Sequence, residues 1–161
     1  MTHQMSLPEH MKIVQLAWPQ TTNGGVTSDT VSLKNALKAW IVVEFNQAVG
    51  HATVVTLKQA TDVASGTNKN GPSSRNWLNE DVAASDTLVI QTAAATVTVT
   101  NNIKKKQVVI EVDPAALDVD GGYDCVYVTI SDSSQATNYC SVTAYLLQRF
   151  PQATPPAAIT D

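Results

Sequence analysis

The sequence predicts an all-β protein, an antiparallel β-sandwich of the jelly-roll kind, and three observations carry that expectation. Val and Thr each supply about one residue in eight, and both are β-branched, which favours the pleated surface of a strand over a helix. About eight to ten short strand-like runs follow one another, with turn signals roughly every 8–12 residues and no long helical period between them. The length of 161 residues suits one domain that buries roughly two-thirds of its surface in a single core. Eight strands of this length fill a jelly roll. An immunoglobulin-like sandwich is the alternative, and Cys125 and Cys140 do not support it: they lie close in sequence with no Trp between them.

Residues 1–11 are polar, carry Pro8 and show no periodicity, and read as an N-terminal arm held only by a partner. The sandwich domain is expected over residues 12–149. Met11–Trp18 is its first strand, closed by Pro19 and the turn-rich QTTNGG; Val26–Leu33 reads as a short second one. Trp40–Gln47 alternates, with Ile41, Val43 and Phe45 on one face and Trp40, Val42 and Glu44 on the other. Gly50 breaks that run and His51–Ala60 follows, so the two are expected to form a hairpin. Ser65–Asn76 is nearly all turn formers and reads as a long surface loop, after which Asn76–Asp81 re-enters the sheet through Trp77. Asp86–Thr92 and Ala95–Thr100 are two more strands, with Lys104–Lys106 in the next turn. Gln107–Val112 is the cleanest strand, with Val108, Ile110 and Val112 on one face. Pro114–Leu117 suits one helical turn, and Asp118–Gly122 turns the chain. Tyr123–Ile130 and Tyr139–Gln148 are the last two strands and are expected to pair as a hairpin. Residues 150–161 form a Pro-rich tail expected to lie extended as a C-terminal arm.

Charge excludes some functions. Lys+Arg 10 against Asp+Glu 14 gives a net charge of −4, which disfavours nucleic acid as a partner because phosphate neutralisation needs a basic face. No run approaches 18 apolar residues, so no membrane span is expected. The start, MTHQMSLPEHMK, lacks a basic segment followed by an apolar one, so a cytoplasmic folding compartment with reduced cysteines is expected.

Few residues offer chemistry. His3, His10 and His51 lack ligand spacing, and a cupin-type metal site needs several clustered histidines. Cys125 and Cys140 come within bridging reach if they lie opposite each other, but two small buried thiols are the preferred reading. Asp118, Asp120 and Asp124 with Gly121 and Gly122 resemble part of a calcium loop. The flanking helices and the closing bidentate Glu are missing, so a plain connection is preferred. Lys104–Lys106 reads as a solvated tip that discourages edge pairing, with docking to an acidic surface as its other use. Trp18, Trp40 and Trp77 sit on separate elements, which favours core or interface packing over a carbohydrate platform. No GxSxG, P-loop, GxGxxG or HExxH pattern is present. The protein is therefore expected not to be an enzyme, and no catalytic, cofactor-binding or metal residue is assigned.

Four stretches of the chain resemble a family of small tailed-bacteriophage proteins. They are VVTLKQATDVASGT (Val54–Thr67), NEDVAASDTLV (Asn79–Val89), IEVDPAALDVDGGYDCVYV (Ile110–Val128) and the closing RFPQATPPAAITD. The family's usual wording runs VTLKQATDVSGTGAK, TAASDTL and EVDxxxLDxxxGFDCVRV, with a Pro-rich end. The likeness covers roughly residues 30–161, with Tyr123 and Tyr127 where Phe and Arg are usual. Such proteins are similar to head decoration, or cement, proteins. The resemblance implies a non-enzymatic β-sandwich on the outer surface of the capsid, assembled in the bacterial host cytoplasm and bridging subunits of the major capsid protein. It also implies a homo-oligomer, a trimer by analogy with decoration proteins. The second expectation is a carbohydrate- or receptor-binding β module on the virion.

Overall fold

A computed structural model describes residues 6–160. A single helical turn, α1 (Leu7–His10), leads into β1 (Met11–Thr21), followed by β2 (Val26–Thr27), β3 (Val31–Ser32), β4 (Ala36–Asn46) and β5 (Thr53–Ala60). Next come β6 (Asn68–Asn70), β7 (Arg75–Asn79), β8 (Val89–Ile90) and β9 (Thr96–Val99). The chain closes with β10 (Lys105–Val112), a 3-10 turn at Pro114–Ala116, β11 (Cys125–Ile130) and β12 (Tyr139–Gln148).

These strands make two antiparallel sheets packed as a sandwich. One runs β1-β12-β4-β10-β7-β8 and the other β2-β11-β5-β6, with β3 also on β11 and β9 also on β5. Four nested antiparallel pairings organise the whole: β1 with β12, β2 and β3 with β11, β4 with β10, and β5 with β9. That nesting is a long hairpin rolled over itself into two sheets, the jelly-roll order expected from the sequence. The segment from β6 to β8 is inserted between β5 and β9, and it extends the first sheet beyond β10 through β7 and β8.

Period-2 alternation sets the core. Ile41, Val43 and Phe45 of β4 meet Val108, Ile110 and Val112 of β10 and Val142, Ala144 and Leu146 of β12 in one buried cluster, together with Val55 and Leu57 of β5 and Val126 and Val128 of β11. Gly71 is required where the chain crosses β5, because a Cβ there would lie 2.6 Å from the Leu57 side chain.

Two expected hairpins are not formed. β4 lies in the first sheet and β5 in the second, and so do β12 and β11 respectively. A link short enough for a hairpin is also long enough to cross the ~10 Å between stacked sheets, so spacing does not distinguish the two. Cys125 and Cys140 are consequently on different sheets, and both are buried thiols not joined in a disulfide. Pro19 does not close the first strand; it is carried inside β1 across a register shift between Ala17 and Gln20. A proline is tolerated there because β1 is an edge strand. The long loop expected at Ser65–Asn76 contains β6, paired to Lys58–Ala60, and of the run Asp86–Thr92 only Val89–Ile90 is strand.

The termini also depart from expectation. Residues 1–5 of the N-terminal arm lie outside the described residues, and Met11 already pairs with Leu147. The C-terminal tail is seated on its own domain. It crosses the open side of the sandwich between the edge strands β1 and β3, where Ala158 is buried in the main core cluster. The Ser32 amide donates to the Ala158 carbonyl at 2.7 Å. The Lys12 ammonium donates to the carbonyls of Pro155 and Pro156. Nearby, the Asp29 amide donates to the Leu16 carbonyl at 2.8 Å, which ties the β2–β3 loop to the free edge of β1.

Candidate interaction surfaces

The outward face of the six-stranded sheet is built by register. One row of side chains crosses all six strands: Gln15, Thr143, Val42, Val109, Trp77 and Ile90. The row beside it holds Ile13, Tyr145, Trp40, Glu111 and Arg75. Every second residue of a strand faces the same way, so the inward Ile41, Val43 and Ile110 force Trp40, Val42, Val109 and Glu111 outward. Ile13 is 48% exposed and Ile90 54% exposed, while both indoles are half-buried. The next row, Ser141, Glu44, Gln107 and Asn79, is polar. An apolar centre beside a polar border is the layout of a protein contact surface.

Glu111 locks this face. Its carboxylate accepts from Lys38 Nζ at 2.6 Å and from the Trp77 indole N–H at 2.8 Å. The Lys38 ammonium lies 5.4 Å from the centre of the Trp40 ring, within cation–π reach. The Lys38 hydrogen bond, followed by that of Trp77, holds the Glu111 carboxyl below the usual carboxylate range against its partial burial. These polar groups satisfy one another and fix both indoles, so the face is pre-ordered.

Lys104–Lys106 is not a solvated tip throughout. Lys106 continues the inward phase of Val108 and Ile110 and is 1% exposed. Its ammonium lies 3.1 Å from the Glu80 carboxylate and donates to the Thr100 carbonyl at 2.7 Å. Lys104 pairs with Asp81 at 2.6 Å. Both lysines therefore clamp the segment after β7 onto the start of β10. An open hollow of about 520 Å³ lies beside this clamp, between Gln47, Asp81, Ala84 and Ile103, and its one carboxylate is the one neutralised by Lys104.

The remaining sequence candidates are dispersed. Asp118 is paired with Lys69 and accepts from the Gly121 amide at 3.1 Å, and Asp124 lies 3.6 Å from Lys34. Lys69 sits over the Tyr123 ring at 4.3 Å, so the Asp118–Gly122 turn is fastened to β6 by a lysine. His10 bonds the Ser6 carbonyl and His51 the Ala52 carbonyl, at opposite ends of the fold; His3 lies outside the described residues. Among the described residues no three His, Cys, Asp or Glu side chains gather as a metal site, and no helix is long and apolar enough to cross a membrane. Of the tryptophans, Trp18 stands 76% exposed at the edge, and none of the three is in the core. Sequence reasoning kept Trp40 and Trp77 apart; the register across β10 that brings them to one face has no local signal.

No family model and no curated protein matches the chain. Among solved structures it is similar to the SPBc2 prophage-derived protein YomS, with a TM-score of 0.49 and 9% identity over 84% of this chain and 91% of that one. A likeness of that strength carries no functional statement.

Proposed function

We propose that this is a non-enzymatic structural protein of a tailed bacteriophage that decorates the capsid and stabilises it by bridging major capsid protein subunits. The observation that supports this most is the pre-ordered outer face of the six-stranded sheet. Five strand spacings make it about 24 Å wide. Two rows each about 7 Å deep, the second crossing five of the six strands, offer on the order of 300 Å², under half of the ~800 Å² that each partner contributes to a standard interface. One such contact is weak, and a symmetric shell repeats it many times, so avidity supplies the rest. The resemblance of four segments to small tailed-bacteriophage proteins supports the same reading, and low charge suits broad neutral contacts.

The test is binding of the purified protein to heads of the phage that encodes it, prepared without it. Co-sedimentation with expanded heads but not with precursor shells is expected, together with rupture of undecorated heads at lower temperature. Ile13→Asp and Trp40→Ala should each abolish co-sedimentation while leaving the fold intact by circular dichroism. Heads that neither bind the protein nor differ in stability without it overturn the proposal.

A second reading, a glycan- or receptor-binding module, draws on Trp40 and Trp77 sharing that flat face. Sugar recognition needs free polar groups beside the rings, and here the Trp77 N–H, Glu111 and Lys38 are already committed to one another. A glycan array with specific hits lost on Trp40→Ala would favour this reading over capsid docking.

A further inference from the structure

We propose that the rim of the six-stranded sheet beside the bulge of β1 is a binding groove for a neutral saccharide chain. This inference stands apart from the capsid role and uses neither tryptophan of the flat face. Register builds the groove. Thr21, Tyr139, Asn46 and Lys105 form one row across β1, β12, β4 and β10. Ser141 and Glu44 stand beside it in the polar row. Ala17 pairs with Val142 and Gln20 with Cys140, which leaves Trp18 and Pro19 opposite Ser141 at the end of that row. Two hollows meet along the rim. One of about 180 Å³ lies between Pro19, Tyr139, Ser141, Glu44, Asn46 and Lys105. The 520 Å³ hollow beside Gln47 and Ile103 shares Asn46 and Lys105 with it. Three strand spacings make the rim about 14 Å long, the reach of a short oligosaccharide rather than of a single ring.

The chemistry of the rim selects a sugar. Trp18 is 76% exposed and Tyr139 45% exposed, so two large rings stand in solvent at one end, and the C–H face of a pyranose stacks on such rings. The polar groups beyond them are uncommitted. Among the described residues the Asn46 amide, the Lys105 ammonium and the Tyr139 hydroxyl make no hydrogen bond or ion pair, and Glu44 accepts only from Ser141, at 3.3 Å. Gln47 is buried; its Nε2 donates to the His51 carbonyl at 2.5 Å, and its Oε1 has no hydrogen-bond partner among the described residues. A buried amide oxygen of that kind calls for a donor. Donors and acceptors are thus interleaved along the groove, and Lys105 and Glu44 cancel in charge. A hydroxyl both donates and accepts, so a neutral polyol satisfies this set, where an ion of either sign meets one repelling partner. The flat face offers the opposite case, rings whose polar neighbours are already paired.

The test is a glycan array probed with the full-length protein, each hit then being titrated to millimolar concentration by nuclear magnetic resonance. Specific hits among neutral oligosaccharides are expected. Trp18→Ala and Asn46→Ala, both on exposed side chains, should each weaken those hits about tenfold, with the sandwich unchanged by circular dichroism. Ile13→Asp, which should abolish binding to heads, is expected to leave the sugar affinity unchanged, so the two proposals fail separately. An array without hits, hits that survive both substitutions, or hits lost on Trp40→Ala instead overturn the proposal. So does binding confined to charged glycans, because the groove then reads charge rather than hydroxyls.

Discussion

Lys106 shows how much a single buried charge depends on its partners. Removing it leaves a cavity where its buried stem packs and takes the cation from the one-third-exposed Glu80 carboxylate and the Thr100 carbonyl, so Lys106→Ala is expected to cost about 2–3 kcal/mol in urea unfolding. Lys104→Ala and Lys105→Ala, on exposed side chains of the same run, should stay within ~0.5 kcal/mol. Its position was legible: counting back by twos from Val112, Ile110 and Val108 places Lys106 inward, but a triple lysine reads as surface by composition. Glu111 makes a pH prediction. Its carboxyl is held below the ordinary value of 4.5, so the charged form favours the fold. That contribution is present above about pH 4.5 and is lost as pH falls through the lower folded value. Trp77→Phe keeps the ring and removes one donor; it should cost about 1–2 kcal/mol at pH 7 and little at a pH where Glu111 is protonated in both proteins. Burial pushes the Cys140 thiol up to about 12. Iodoacetamide at pH 8 should therefore modify Cys140 only at the rate of unfolding, and rapid labelling of the native protein would contradict its placement in the core.

Among the strands, β4 and β10 were the most legible, because both are central and read as clean alternation. The contrast between their faces is measurable: Val43→Ala should cost about 2–3 kcal/mol and Val42→Ala under ~1 kcal/mol, although the two valines are adjacent. The edge strand β1 was harder. Its Pro19 looks like a stop, yet the strand continues because an edge residue needs no second ladder partner. The Gln15 side chain repairs the irregularity by donating to the carbonyls of Ala17 at 2.7 Å and Val142 at 3.0 Å. Strands of two residues, such as β2, β3 and β8, carry too little pattern to be read alone; their neighbours in the sheet define them. Both misassigned hairpins share one cause, since a link of a few residues serves a turn and a crossing between sheets equally well.

Across the whole molecule, the jelly roll brings β1 and β12, near the two ends of the chain, into one ladder, and the tail then closes the open side of the sandwich. Truncation after Arg149 removes the Ala158 methyl and its hydrogen bonds, an expected loss of about 1–2 kcal/mol. In a scanning calorimeter that is a drop of about 2–4 °C for each kcal/mol, and an unchanged melting temperature would show that the tail adds nothing to the fold. Composition and alternation were enough to establish a β-sandwich and the inward faces of its long strands, because these follow from local chemistry repeated every two residues. Which strands become neighbours, that Trp40 and Trp77 share a face through β10, that Lys106 finds Glu80, and that the tail returns to the seam between β1 and β3 were decided only by the tertiary structure. Those contacts join residues far apart in sequence, and their free energy comes from burying faces against each other, which no local pattern encodes.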